Sequence, residues 1–163
     1  MVKLEQLLNK EISTLVKSVP KIDTAEKRHG HKITFQQFLD DKILIILVIQ
    51  MGVTYSLFDL IRTKSPFSEP DWAEFLDIST RSLHRYKQAP KRFKPLQSEK
   101  IIEIAEVANV GEEVFGDMGK FRRWLETPNF SLGKFRPMDL LKDSYGKEMI
   151  IGELTRISHG VLA

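Results

Sequence analysis

Hydrophobic residues recur every three or four positions near the start of the chain, which predicts an amphipathic helix over about residues 3–18. The residues that make this pattern are Val2, Leu4, Leu7, Leu8, Ile12, Leu15 and Val16. Residues 18–34 are mostly polar and include Pro20 and Gly30, so they predict a loop.

The most apolar run of the chain, residues 43–49, fits either a buried helix or a buried strand. Asp40 and Asp41 can cap a helix at the start of the run, and Gly52 suits the position just past its end. Because the neighbouring segments have helical periodicity, we favour a buried helix. Another helix is expected from Thr54 to Lys64, and Ser68 can cap the next one.

Residues 69–88 resemble a helix-turn-helix, because their apolar residues are spaced so that two helices can share a small core across a tight turn. These apolar residues are Trp72, Leu76, Ile78, Leu83 and Tyr86. Asp77 stands at the turn, where a left-handed backbone is usual and Asp tolerates it better than most residues. Ser79 is placed to cap the second helix.

Positive charge is concentrated in residues 79–98, which contain six Lys or Arg and no Asp or Glu, although the net charge of the chain is only +3. In a helix-turn-helix the second helix meets base edges, and basic residues near it contact phosphates. The DNA-binding candidates are Ser79, Thr80, Arg81, Ser82, His84, Arg85, Lys87, Lys91, Arg92 and Lys94. The alternative is a helical hairpin with a solvated charged face.

Several function classes have no support in the sequence. The chain has no cysteine, and His84 and His159 lie in no recognisable catalytic or metal-binding motif. We interpret His29 and His31 as solvated loop residues, so no enzyme activity, metal or cofactor is expected. The N-terminus does not resemble a secretion signal, and the longest apolar run is too short to span a bilayer. We therefore expect a cytoplasmic protein without a membrane partner.

The C-terminal part contains five short blocks in a fixed order. They are VFGD at 114–117, WLETPN at 124–129, SLG at 131–133, PMDLL at 137–141 and ISHG at 157–160. Ser98 is expected to cap the long helix before them. Ser144 is expected to cap a last helix that buries Tyr145, Met149, Ile150, Leu154 and Ile157 on one side.

Together with the helix-turn-helix, these blocks make residues 45–163 resemble the Xre–MbcA–ParS antitoxin family of type II toxin–antitoxin systems. The resemblance implies an all-α protein with three regions. Residues 1–40 would form an N-terminal helix and a polar loop, residues 41–98 an Xre-like helix-turn-helix domain, and residues 99–163 a toxin-binding domain.

The resemblance also implies partners. Such antitoxins neutralise a toxin, often of the NAD-degrading RES class, and act as homodimers that bind operator double-stranded DNA and repress their own operon. The candidate toxin-binding residues are Lys134, Arg136, Arg156, Ser158, His159, Val161, Leu162 and Ala163. A stand-alone transcriptional repressor is the alternative, and it would not need the C-terminal blocks.

Overall fold

A computed structural model describes residues 2–19, 32–89 and 91–160, and every regular element in these stretches is a helix. The elements are α1 Val2–Lys17, α2 Phe35–Asp40, α3 Lys42–Met51, α4 Tyr55–Lys64, α5 Glu69–Phe75, α6 Thr80–Gln88, α7 Pro95–Phe115, α8 Met118–Glu126, a 3-10 helix Phe130–Leu132, α9 Pro137–Leu140 and α10 Ser144–Ser158. The all-α fold class is confirmed for this part of the chain.

The chain forms two compact units, each made of two segments. The first unit comprises residues 1–64 and 81–102, and the second comprises residues 65–80 and 103–163. The segment that resembles a helix-turn-helix therefore contributes to both units, and so does α7. The functional boundaries expected at residues 40 and 98 stay a prediction.

In the first unit α1 packs against α2, α3 and α4. Leu8, Ile12 and Leu15 of α1 are buried, as the helical spacing predicted. The apolar run is α3, which confirms the helix over the strand, and the side chain of Asp41 accepts a hydrogen bond from the Leu44 amide at its start.

Gly52 ends α3 with a φ of 90°, a conformation that favours glycine. A Cβ added there would lie 2.5 Å from the carbonyl oxygen of Phe93. The same turn is fixed by a hydrogen bond of 2.9 Å from the Phe93 amide to the Val53 carbonyl. The backbone just past α3 therefore lies directly against the segment that precedes α7.

The short helix α2 was not predicted from the sequence. Thr34 and Gln37 form a capping box at its start, and the Asn9 side chain accepts a hydrogen bond of 2.7 Å from the Phe35 amide. Phe35 and Phe38 are both buried. A helix of six residues shows little periodicity, so its formation depends on packing against α1.

The expectation that Ser98 caps the long helix is wrong, because α7 begins at Pro95 and Ser98 lies inside it, fully buried. Its hydroxyl accepts a hydrogen bond of 2.9 Å from the Val53 amide and donates one of 3.2 Å to the Phe93 carbonyl. Pro95 opens the helix because proline suits the first turn, where its missing N–H is not needed. Ser98 thus joins two loops of the first unit.

In the second unit α5 starts at a capping box formed by Ser68 and Asp71, as the sequence predicted for Ser68. Arg122 of α8 donates a hydrogen bond of 2.5 Å to Asp71 and one of 3.2 Å to the Pro66 carbonyl. Burial raises the pKa of Asp71, but hydrogen bonds from Arg122 and Ser68 outweigh it and leave the pKa below its ordinary value. This ion pair holds residues 65–80 against α8.

Candidate functional site

The turn after α5 has the left-handed residue that the helix-turn-helix interpretation placed there. Asp77 has a φ of 51°, and the amide of Ile78 donates a hydrogen bond of 3.0 Å to the Ala73 carbonyl. The chain then enters α6 at Thr80. The turn has the expected backbone, while contact of this segment with DNA stays a prediction.

Helix α6 exposes most of its length and buries Leu83. Among the ten DNA-binding candidates, Ser82 is half-buried and the other nine are exposed. The exposed set is Ser79, Thr80, Arg81, His84, Arg85, Lys87, Lys91, Arg92 and Lys94. The structure therefore leaves nearly all of these side chains at the surface, where a polyanion can reach them.

Phe93 anchors the basic residues that follow α6, and the sequence analysis did not single it out. Its buried ring stacks on Tyr86 of α6 at 4.2 Å and lies 5.1 Å from the ring of Phe58. Lys91, Arg92 and Lys94 flank this anchor and are exposed. A lone aromatic residue within a basic run was the signal that could have identified it.

Arg92 differs from its neighbours because its guanidinium already has a backbone partner. Its Nη1 donates a hydrogen bond of 3.1 Å to the carbonyl of Gly52, at the end of α3. The positive charge remains exposed, so Arg92 can still attract phosphate. Direct contact with a phosphate would have to share or replace this hydrogen bond.

Two of the toxin-binding candidates lie in the turn between the 3-10 helix and α9. Lys134 has a φ of 65°, and its ammonium group lies 5.8 Å from the centre of the Phe130 ring. Arg136 donates two hydrogen bonds of 2.8 Å to Asp139, and these bonds lower the pKa of Asp139. Both basic residues are exposed, and each already has an intramolecular partner.

Three other toxin-binding candidates lie at the end of α10, where they also contact their own helix. Arg156 pairs with Glu153 at 3.2 Å, and the Ser158 hydroxyl donates a hydrogen bond of 2.7 Å to the Thr155 carbonyl. His159 Nδ1 lies 2.8 Å from the same carbonyl. Val161, Leu162 and Ala163 lie outside the described residues.

The structure corrects the orientation expected for α10. Ser144 is the first helical residue and makes no cap, since the helix follows Asp143. Tyr145 and Met149 were expected in the core but are 83% and 48% exposed.

Other residues of the last helix take the inner face. Gly146, Ile150, Glu153 and Leu154 are buried, and helical geometry puts Ile150 and Leu154 on the side opposite Tyr145, with Gly146 and Glu153 on one flank. Ile150 and Leu154 were therefore placed correctly. Leu141, just ahead of the helix, is buried as expected.

Neither a metal site nor a membrane span is found in the described part of the chain. Within residues 2–19, 32–89 and 91–160, no group of three or more metal-binding side chains comes together. The helices there are too short or too polar to cross a membrane. His29 and His31 lie outside the described residues.

Comparison with known proteins identifies relatives of this chain. Residues 111–160 match the family model of the antitoxin Xre/MbcA/ParS C-terminal toxin-binding domain. Antitoxin Xre of Yersinia enterocolitica is 30% identical over 116 residues, which is 71% of this chain and 78% of that protein. Antitoxin Xre of Pseudomonas putida is 30% identical over 81 residues, 48% of this chain and 51% of that protein.

A solved structure has a similar fold. One chain in the crystal structure of the M. tuberculosis MbcT–MbcA toxin–antitoxin complex superposes with a TM-score of 0.55. The similarity covers 67% of this chain and 96% of that chain, at 22% sequence identity. At this level of identity the comparison shows the fold.

Proposed function

Since this chain belongs to the Xre antitoxin family, we propose that it neutralises a cognate RES-type toxin and represses its own operon by binding operator DNA. The observation that carries the toxin-binding part is the match of residues 111–160 to the toxin-binding domain of the family. A stand-alone repressor would have no need of this domain.

The proposed mechanism of neutralisation is obstruction. A RES-type toxin degrades NAD, and an antitoxin that covers its active site excludes the substrate without supplying any chemistry. The antitoxin therefore needs only a surface that fits the toxin and binds it tightly. This agrees with the lack of a recognisable catalytic motif in its sequence. The assignment of the toxin to the RES class is supported by the resemblance of the sequence blocks to the family.

The DNA-binding part is supported by charge and exposure. Residues 79–98 contain no acidic residue, and their six Lys or Arg side chains are all exposed. Basic side chains on α6 and on the segment that follows it are suited to contact phosphates of both DNA strands that border a groove. One helix-turn-helix buries little surface on DNA, so we propose a homodimer that binds two half-sites.

Co-expression with the toxin encoded beside this gene tests both activities at once. The wild-type chain should restore growth and cellular NAD, and it should protect a segment of its own promoter in a footprint. The double variant Arg81→Ala with Arg85→Ala should lose the footprint and still rescue growth. Lys120→Ala, which removes an exposed charge on α8, is the matched control and should keep both activities.

Two outcomes contradict the proposal, and they are separable. Failure of the wild-type chain to rescue growth or NAD rejects this toxin as the partner. An unchanged footprint of the Arg81→Ala with Arg85→Ala variant rejects α6 as the helix that binds DNA, while leaving toxin neutralisation intact.

A further inference from the structure

Large apolar side chains are exposed on the second unit within a short stretch of sequence. Phe130 is 80% exposed, Phe135 59%, Tyr145 83% and Met149 48%. All four lie inside the segment that matches the toxin-binding domain. Exposed large apolar side chains are enriched on surfaces that bind another protein, and two of these four, Tyr145 and Met149, lie one turn apart on α10.

Helix α10 arranges part of this set in a line. Tyr145, Met149, Gly152 and Arg156 follow one another at intervals of four, three and four residues, which places them on one face of the helix. Ile150 and Leu154 on the opposite face are fully buried. We call the outward face formed by these four residues the α10 stripe.

Within the α10 stripe, no intramolecular contact requires that Gly152 be a glycine. Glycine inside a helix is less stable than alanine there. A Cβ added at Gly152 meets no atom within 4 Å, so neither packing nor a left-handed backbone requires glycine. By contrast, a Cβ added at Gly146 of the same helix would lie 1.9 Å from the Leu140 carbonyl oxygen.

We propose that the α10 stripe is the face on which the cognate toxin docks, with Tyr145 and Met149 as apolar anchors and Gly152 as the point of closest backbone approach. The inference rests on the proposed function and refines it. It adds apolar contacts at residues that the sequence analysis placed in the core. Buried Tyr side chains at the centre of an interface contribute much of the binding energy.

The existing partners of the polar candidates, including Arg156 of the α10 stripe itself, support Tyr145 and Met149 as the anchors. Arg136 and Arg156 are paired with Asp139 and Glu153, and His159 lies against the Thr155 carbonyl. Breaking such pairs on docking would cost part of the affinity gained. The apolar side chains of the α10 stripe need no such exchange.

The structure also limits the chemistry of the partner surface. It must be apolar where it meets Tyr145 and Met149, and it must fit closely enough to reach the backbone at Gly152. An acceptor for the Tyr145 hydroxyl would complete the contact, since a buried tyrosine hydroxyl usually has a hydrogen-bond partner.

Two full-length variants test the proposal against the toxin encoded beside this gene, with affinity measured by calorimetry. Tyr145→Ala and Gly152→Gln should each bind the toxin at least about tenfold more weakly than wild type. Gly152→Gln should melt at the same temperature as wild type or higher, because Gln is the better helix former. Weaker binding by a protein of equal or greater stability is the expected signature.

The two controls make comparable changes elsewhere, one at a glycine and one at an exposed apolar residue. Gly119→Gln alters an exposed glycine of α8, where the added Cβ would lie 3.1 Å from one oxygen of the Asp117 carboxylate that caps this helix. Leu96→Ala removes an apolar side chain that is 75% exposed outside the toxin-binding domain. Both controls should bind the toxin like wild type and melt as folded proteins.

The possible outcomes separate this inference from the function on which it rests. Wild-type affinity in both Tyr145→Ala and Gly152→Gln overturns the α10 stripe and leaves the antitoxin function standing. The proposal is also overturned if these variants sediment with a different mass from the wild-type homodimer while their toxin affinity is unchanged. That result assigns the face to contact with a second copy of the chain. Failure of the wild-type chain to bind rejects this toxin as the partner and the docking face with it.

Discussion

Helices α6 and α10 both bury one side, but they expose surfaces of opposite chemistry. Helix α6 exposes Arg81, Arg85 and Lys87, whereas α10 exposes Tyr145 and Met149. Charged groups can bind phosphates and remain partly hydrated, while apolar groups contribute affinity only when a partner removes their water. One chain therefore carries a surface suited to a polyanion and another suited to a protein.

The two helices are also held in place differently. Helix α6 buries only Leu83 among its residues, and the stacking of Tyr86 on Phe93 supports it. Helix α10 buries four residues, and Lys147 pairs with Glu106 of α7. One buried residue therefore anchors α6, whereas four anchor α10 and hold its outer face in place.

The largest expected effect separates the two surfaces by salt. If the five basic residues of 79–98 other than Arg81 contact phosphates in even one protomer, operator affinity should fall by at least roughly five hundredfold between 50 and 200 mM salt. Toxin affinity should change by less than about threefold, because apolar contacts are little screened. Binding titrations of the DNA complex and of the toxin complex over this salt range measure how each affinity depends on salt. Equal salt dependence would contradict the distinction between the two surfaces.

The next effect tests the inner face of α10. Gly146→Ala should destabilise the protein by about 3 kcal/mol, since the new Cβ would overlap the Leu140 carbonyl. Gly152→Ala on the outer face should stabilise it by up to about 1 kcal/mol. Urea unfolding measures both free energies, and equal midpoints for the two variants would contradict the close approach at Gly146.

A smaller effect tests base contact by α6. Arg81→Ala should cost about 2 kcal/mol on the operator and relax the preference at one base pair if Arg81 pairs with guanine. Lys91→Ala should weaken binding to all sequences alike and reduce the salt slope by about one phosphate contact. Binding to operator and scrambled DNA distinguishes these results, and a wild-type affinity of Arg81→Ala would remove this residue from the interface.

The smallest effect concerns the ion pair between Asp71 and Arg122. Hydrogen bonds from Arg122 and Ser68 outweigh burial and hold the pKa of Asp71 below 3.8. The ion pair therefore contributes its full stabilisation above about pH 3.8. This contribution is lost as the pH falls through the lowered pKa of Asp71 in the folded protein. Asp71→Asn should cost about 1 kcal/mol at pH 7 and less at about pH 3.

Urea unfolding of both proteins at the two pH values provides the measurement for Asp71. Asn keeps a side-chain oxygen that can accept the hydrogen bond from the Ser68 amide, so the variant mainly removes the charge. A cost that is equal at both pH values would show that the carboxylate charge contributes nothing to the stability of the second unit.

Several caps and turns followed from the local sequence, although Ser98 and Ser144 do not cap the helices as expected. Asp41, Ser68 and Gly52 stand at the helix ends where their side chains or backbone conformations are favoured. Asp77 has the left-handed backbone that the turn requires. These features depend on residues within a few positions of one another, so a single sequence determines them.

The sequence by itself determined the helical fold class, the basic segment and the C-terminal blocks, because each depends on local order and residue type. Only the tertiary structure decided which side of α10 faces the core, since hydrophobicity alone does not distinguish Met149 from Ile150. The tertiary structure also decided the role of Ser98, which was expected to cap a helix but is buried and hydrogen-bonded to Val53 and Phe93. A side chain faces inward when distant segments pack against it, and neighbouring residues alone cannot decide that.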